Sequence, residues 1–185
     1  MFRNALFIAC AILSLAMSSC SEVVEYDKEV QQQIDVDSIE RFLKENNLSS
    51  TFTKSPTGLY YQVVSAGRGD YEIEEGDEVV VNYTGKLLSG ILVEKGDNVK
   101  MKFSGLPQGW REGLVKIKPT GIIRLIIPST LAYTDEQVGQ IPPNSNLEYL
   151  ITLRSIFRGN KELPTINPDD DPSTGDGGVT LDPDY

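Results

Sequence analysis

Histidine is missing from all 185 residues of this chain. Without an imidazole, Ser-His-Asp and Cys-His nucleophile systems and His-ligated zinc sites cannot be assembled. Cysteine is nearly missing too. Cys10 and Cys20 both fall in the first twenty residues, so the rest of the chain has neither a disulfide nor a thiol nucleophile. Basic charge is scarce, with 17 Lys and Arg against 27 Asp and Glu for a net charge of -10. A nucleic-acid partner is therefore excluded, because phosphate binding needs a basic face, and charge-driven adhesion to an anionic membrane is disfavoured for the same reason. The triple aspartate Asp169, Asp170 and Asp171 fails as a calcium loop, since the turn glycine is misplaced and no glutamate closes it. No metal and no cofactor are expected.

What is present fits one ordinary domain. A 39% hydrophobic content over 185 residues supports a real core together with a leader and a tail. Residues 1–19 read as an export leader: one positive charge at Arg3, an apolar run over 5–17, then Ser18 and Ser19 before Cys20. The run is short for a membrane span. The ending Leu15-Ala16-Met17-Ser18-Ser19-Cys20 resembles a bacterial lipoprotein signal, which implies a lipid on Cys20, a membrane anchor and a place in the cell envelope. Ordinary secretion with Cys20 incidental is the alternative.

Residues 20–36 are polar and read as a tether, part of which has helical character. Asp37-Ser38-Ile39-Glu40 reads as a helix start, an Asp cap with Glu three residues on. Ile39, Phe42 and Leu43 then follow at helical spacing, giving a helix and linker over 37–54. The apolar stripe suits docking on the domain or, alternatively, dimerisation. From 55 onward the pattern turns to β: strands over 59–64, 79–87, 99–103, 122–128 and 147–157, with a short helix over 110–117 and turns marked by Gly and Pro. Five or six antiparallel strands and one short helix bury themselves only if the sheet curls over the helix. The expected fold is thus α+β, a curled antiparallel half-barrel wrapped over one short α-helix, spanning 55–158. Residues 159–185, rich in Pro, Gly and Asp, are expected to be a disordered acidic tail.

Within the domain a set of landmarks runs in fixed order: Tyr83-Thr84-Gly85, Gly109-Trp110-Arg111-Glu112-Gly113, Leu131-Ala132-Tyr133 and Ile141-Pro142-Pro143. Together with the lead-in Thr57-Gly58-Leu59-Tyr60-Tyr61-Gln62-Val63-Val64, they resemble the FKBP-type peptidyl-prolyl isomerases, in particular the exported bacterial members. The resemblance implies a proline pocket. Trp110 would be its floor, Tyr83 and Tyr149 walls, and Tyr133 a wall whose hydroxyl binds a substrate carbonyl. Ile141 would lie in the rim loop, with Phe103 and Leu106 completing the apolar lining. Alone, each aromatic reads as a core residue; jointly, with Tyr133 and Ile141 in loops, they read as a pocket.

Two stretches depart from the family pattern. Val93 and Glu94 stand where the family usually has Phe and a buried Asp. Pro107 stands where the family offers a backbone N–H, leaving Leu106 or Gln108 to donate instead. The resemblance implies a cis–trans isomerase acting, as a monomer, on proline-containing polypeptides and assisting the folding of exported proteins. The departures leave two alternatives: a non-catalytic peptide-binding module or chaperone, and a scaffold with a filled groove.

Overall fold

The computed structural model of the chain describes residues 26–164. The leader, Cys20 and the tail beyond 164 lie outside the described residues. The chain enters through α1 (Lys28–Glu45), which is followed by β1 (Thr53–Lys54), β2 (Tyr60–Ser65), β3 (Glu78–Leu87) and β4 (Leu92–Lys102). After a 3-10 turn (Phe103–Gly105) come the short α2 (Gln108–Leu114), β5 (Ile122–Ile127), a second 3-10 turn (Ser129–Leu131), β6 (Leu147–Arg158) and β7 (Lys161–Glu162). The strands form one antiparallel sheet in the order β1-β2-β5-β6-β3-β4, with β7 added to β6. The sheet is open, and its concave face covers α2.

β5 is the pivot of this arrangement. Ile123, Leu125 and Ile127 join the main core, while Ile126 joins a second cluster with Ile39 and Leu43 of α1, Phe52 and Tyr60. Ile123, Leu125, Ile126 and Ile127 are fully buried, and Ile122 and Arg124 are partly exposed, which is why Ile-Ile-Arg-Leu-Ile-Ile reads as a dense apolar segment rather than a clean alternation. The strand has a helix on each face. α2 reaches one face closely because Gly109 and Gly113, one turn apart, meet Ile127 and Leu125. A Cβ on Gly113 would lie 2.6 Å from Leu125 Cδ1.

Three expectations need correction. The first helix begins at Lys28, not near Asp37. Its cap is Asp27, whose carboxylate accepts the Glu29 and Val30 N–H groups, and Asp37 sits mid-helix accepting from Gln33 Nε2 at 2.8 Å. The early turns dock through polar side chains, so apolar periodicity did not mark them. Second, the strand expected over 99–103 is the end of a longer β4 that already includes Gly96-Asp97-Asn98. Those residues form a bulge inside the longer β4, where register passes from Val81↔Val99 to Tyr83↔Gly96. A second bulge at Val93 separates Gly85↔Glu94 from Lys86↔Leu92. Third, the chain is still ordered after 158. A two-residue hairpin at Gly159-Asn160 returns it as β7, and Leu163 re-enters the core.

The far end of β6 is fixed by a buried acid. Asp77, 2% exposed, accepts from Arg158 Nε and Nη2, both at 2.9 Å, and from the Glu74 N–H. Its backbone carbonyl accepts the Phe103 N–H, so the same residue ties down the loop that leads to α2. The paired bonds from Arg158 hold the Asp77 carboxyl below the usual range, against the opposing effect of burial. A depressed carboxyl contributes stability that is complete above the unfolded value of about 3.9 and is lost as pH falls through the lower folded value. Asp77→Asn is therefore expected to unfold at lower urea than the parent at pH 7. The gap should hold down to about pH 4 and close only below it, as read by urea titrations at stepped pH.

Candidate active site

The curled sheet and α2 bring together the aromatic residues singled out in the sequence. The Trp110 indole, from α2, meets Tyr83 of β3 at 5.0 Å between centroids and 80° between planes. Tyr149 of β6 meets the same indole at 5.1 Å and 75°. Both are edge-to-face contacts, the arrangement that the ring quadrupole favours. Trp110, Tyr149, Phe103 and Ile141 are buried, and Tyr83, Val93, Leu106 and Tyr133 are partly buried against them.

Glu94 closes one side of this set. Across three strands, Glu94 of β4, Gly85 of β3 and Tyr149 of β6 stand in one register row. Two strand spacings separate Glu94 from Tyr149, roughly 9–10 Å. The pair nevertheless meets, because Gly85 carries no side chain and the Tyr149 hydroxyl passes over it to donate to Glu94 Oε1. Gly96 does the same for Tyr83, whose ring lies where a Cβ on that glycine would stand. These two glycines, inside paired strands, shape the cluster in a way that the aromatic pattern alone did not reveal. A strand-interior glycine marking close approach was the available signal.

The hydroxyls are kept protonated. Burial, then the bond to Glu94 and its charge, pushes the Tyr149 phenol far above its ordinary value. Burial and then the Glu94 charge also raise Tyr83 and Tyr133, with the Tyr149 hydroxyl acting the other way on Tyr133. At neutral pH the site thus offers hydrogen-bond donors and apolar rings, with no imidazole or thiol.

Comparison with known proteins agrees with this geometry. Residues 69–154 match the family model described as FKBP-type peptidyl-prolyl cis-trans isomerase. The fold is FKBP-like, and over those residues the chain is similar to the FKBP-type family. Among relatives, the FKBP-type peptidyl-prolyl cis-trans isomerase FkpA of Escherichia coli is 40% identical over 121 residues, 63% of this chain and 43% of FkpA. The peptidyl-prolyl cis-trans isomerase Mip of Coxiella burnetii is 32% identical over 120 residues, 62% of this chain and 52% of Mip. The chain thus spans about half the length of the curated relatives it matches. The crystal structure of E. coli FkpA superposes with a TM-score of 0.60 at 34% identity, covering 70% of this chain and 62% of that one.

Against the FKBP-type pattern, the departures resolve as follows. Val93 is the bulged residue of β4 and packs partly buried against the core. Glu94, on its longer arm, is partnered by the Tyr149 hydroxyl. Pro107 caps α2 with no side-chain bond, and the Leu106 N–H is taken by the Phe103 carbonyl at 3.1 Å. Leu106 is therefore not the substitute donor. The Gln108 N–H stands in the first turn, where a helix leaves its amides without internal acceptors. Ile141, expected at the rim, is buried at 3% exposure because the Val138↔Ile141 bridge folds the loop inward. Trp110 is 3% exposed, so a ring reaching its face requires neighbouring side chains to move aside.

Trp110 is the single tryptophan of the chain, which makes the site self-reporting. A Cβ on Gly85 would lie 2.5 Å from Tyr149 Cε1 and 2.9 Å from Glu94 Cγ. Gly85→Ala should displace Tyr149, break its bond to Glu94 and cost about 1–3 kcal/mol as an overpacking change. The expected readout is a red shift of Trp110 fluorescence together with a lower unfolding midpoint. Unchanged emission would show that Gly85 does not seat the ring.

Proposed function

We propose that the domain is a peptidyl-prolyl cis–trans isomerase acting on proline-containing polypeptides. One observation carries the reading: in an FKBP-type domain, Trp110 is flanked edge-on by Tyr83 and Tyr149 beside the protonated Tyr133 hydroxyl. The reaction suits such a site. Rotation about a peptide bond is opposed by about 18–20 kcal/mol because the C–N bond has partial double-bond character. Twisting breaks that resonance and reduces charge separation, so apolar walls favour the twisted amide over the planar one. Binding that is stronger for the twisted form lowers the barrier without a covalent intermediate or proton transfer. Tyr133 and the Gln108 N–H supply the one or two donors needed to hold the carbonyls in that geometry.

The expected result is faster cis–trans exchange of a Xaa-Pro peptide on addition of the protein, followed by NMR exchange spectroscopy. The rate should stay flat between about pH 6 and 9, since the tyrosine hydroxyls do not titrate there. Tyr133→Phe should reduce kcat/KM by about tenfold, the value of one hydrogen bond in the transition state. A folded protein that leaves the exchange rate unchanged at high concentration refutes catalysis. The second reading, a peptide-binding module, is favoured by the occupied Leu106 N–H, which removes one donor for a substrate carbonyl, and it predicts peptide binding without acceleration.

The finer reading places the protein in a bacterial cell envelope, held to a membrane by a lipid on Cys20 and assisting the folding of exported proteins. It is supported by the leader pattern ending Ser18-Ser19-Cys20. Cys20→Ser is expected to move the protein from the membrane fraction to the soluble fraction, read by fractionation and immunoblot. Retention of the variant in the membrane fraction would reject the anchor.

A further inference from the structure

Asp35, Ile39 and Leu43 are the three buried residues of α1, at spacings of four that place them on one stripe. Ile39 and Leu43 dock the helix on Phe52, Tyr60 and Ile126. An apolar residue at 35 would extend that docking, whereas a buried carboxylate costs stability unless its oxygens are fully bonded. Asp35, 1% exposed, is bonded at both oxygens. Oδ1 accepts from Gln31 Nε2 at 2.8 Å, and Oδ2 accepts from Ser129 Oγ at 2.7 Å and the Thr130 N–H at 3.4 Å. Gln32 accepts the Thr130 hydroxyl beside it.

Ser129 is the root of the loop that carries Tyr133 and Ile141. Its carbonyl accepts the N–H groups of Ala132 and Thr134 at 3.0 and 2.9 Å, which bracket Tyr133. Its own N–H donates to Asn146 Oδ1, and the Thr134 carbonyl accepts the Asn144 N–H at 2.7 Å. Thr134 and Asn144 have φ of +54° and +56°. For a β-branched residue this backbone is strained and persists only where its surroundings hold it. The family match begins at residue 69, so α1 lies outside it, yet its one buried acid grips the root of this loop.

We propose that Asp35 is a positioning residue: through Ser129 it sets the backbone on either side of Tyr133, so the helix before the domain tunes the site. The effect on rate rests on the isomerase reading above; the effect on loop geometry does not. In the full chain, Asp35→Ala is expected to lower kcat/KM for a Xaa-Pro peptide about tenfold, the size of a lost hydrogen bond to a charged group. Combined with Tyr133→Phe it should reduce the rate no further than Tyr133→Phe alone. Asp35→Asn, which keeps an acceptor for Ser129, should recover most of the rate. Ser129→Ala breaks the same bond from the loop side and should reproduce the loss if Asp35→Ala folds poorly. Glu40→Ala serves as the control. It removes the bonds from Lys54 and Tyr60 that hold the same helix elsewhere and should leave kcat/KM unchanged. Amide resonances of Tyr133 and Thr134 should shift in Asp35→Ala and stay in place in Glu40→Ala. Losses that multiply with Tyr133→Phe, or unmoved amides at 133 and 134, overturn the proposal. If the parent shows no isomerase activity but the amides shift, the isomerase reading fails and the positioning contact stands.

Discussion

Everything in this domain leans on one strand that packs against a helix on each side. β5 presents Ile123, Leu125 and Ile127 to the core under the curled sheet and Ile126 to α1. A strand in that position is apolar on both faces over Leu125, Ile126 and Ile127, and water reaches it only at Ile122 and Arg124. Its burial orients both helices. It seats α2, and with it Trp110, through two glycines that let the helix come down onto the leucine and isoleucine side chains. It also delivers the chain directly into Ser129 and the loop of Tyr133, so two walls of the site are set by the same six residues.

The aromatic cluster shows how a site can be assembled without conventional catalytic groups. Its shape depends on side chains that are absent: Gly85 leaves the lane through which Tyr149 reaches Glu94, and Gly96 leaves the seat for Tyr83. Its electrostatics depend on a single carboxylate whose charge, together with burial, keeps three neighbouring phenols protonated. Val93 and Glu94 departed from the family pattern, yet the bulge at Val93 brings Glu94 opposite Gly85 and so onto Tyr149. Glu94 and Tyr149 thereby form one hydrogen-bonded pair spanning three strands.

Much of the architecture was legible because it follows from apolar pattern and turn chemistry. The strands at β2, β3, β5 and β6, the short helix and the order of the aromatic landmarks could be read directly. What escaped was held by polar or local backbone effects. The first turns of α1 dock through Gln32 and Asp35, which leave no apolar period. The first half of β4 hides behind two bulges that look like turn residues. β7 follows a Gly-Asn hairpin inside a stretch whose composition otherwise reads as a tail. At the site, the identity of the rings was legible, but their spacing was not, because it depends on which glycine lies opposite which ring. That pairing is a property of register, and register emerges only when the strands are assembled.

The early start of α1 also changes the mechanical relation between the domain and its proposed anchor. A tether running to residue 36 would give the domain a long leash. With helix from Lys28 and its cap at Asp27, only seven residue steps separate Cys20 from rigid structure, and even fully extended they span about 25 Å. A domain on so short a leash would sweep a thin layer next to the bilayer. It would meet polypeptides emerging at the membrane surface and miss those diffusing freely beyond it.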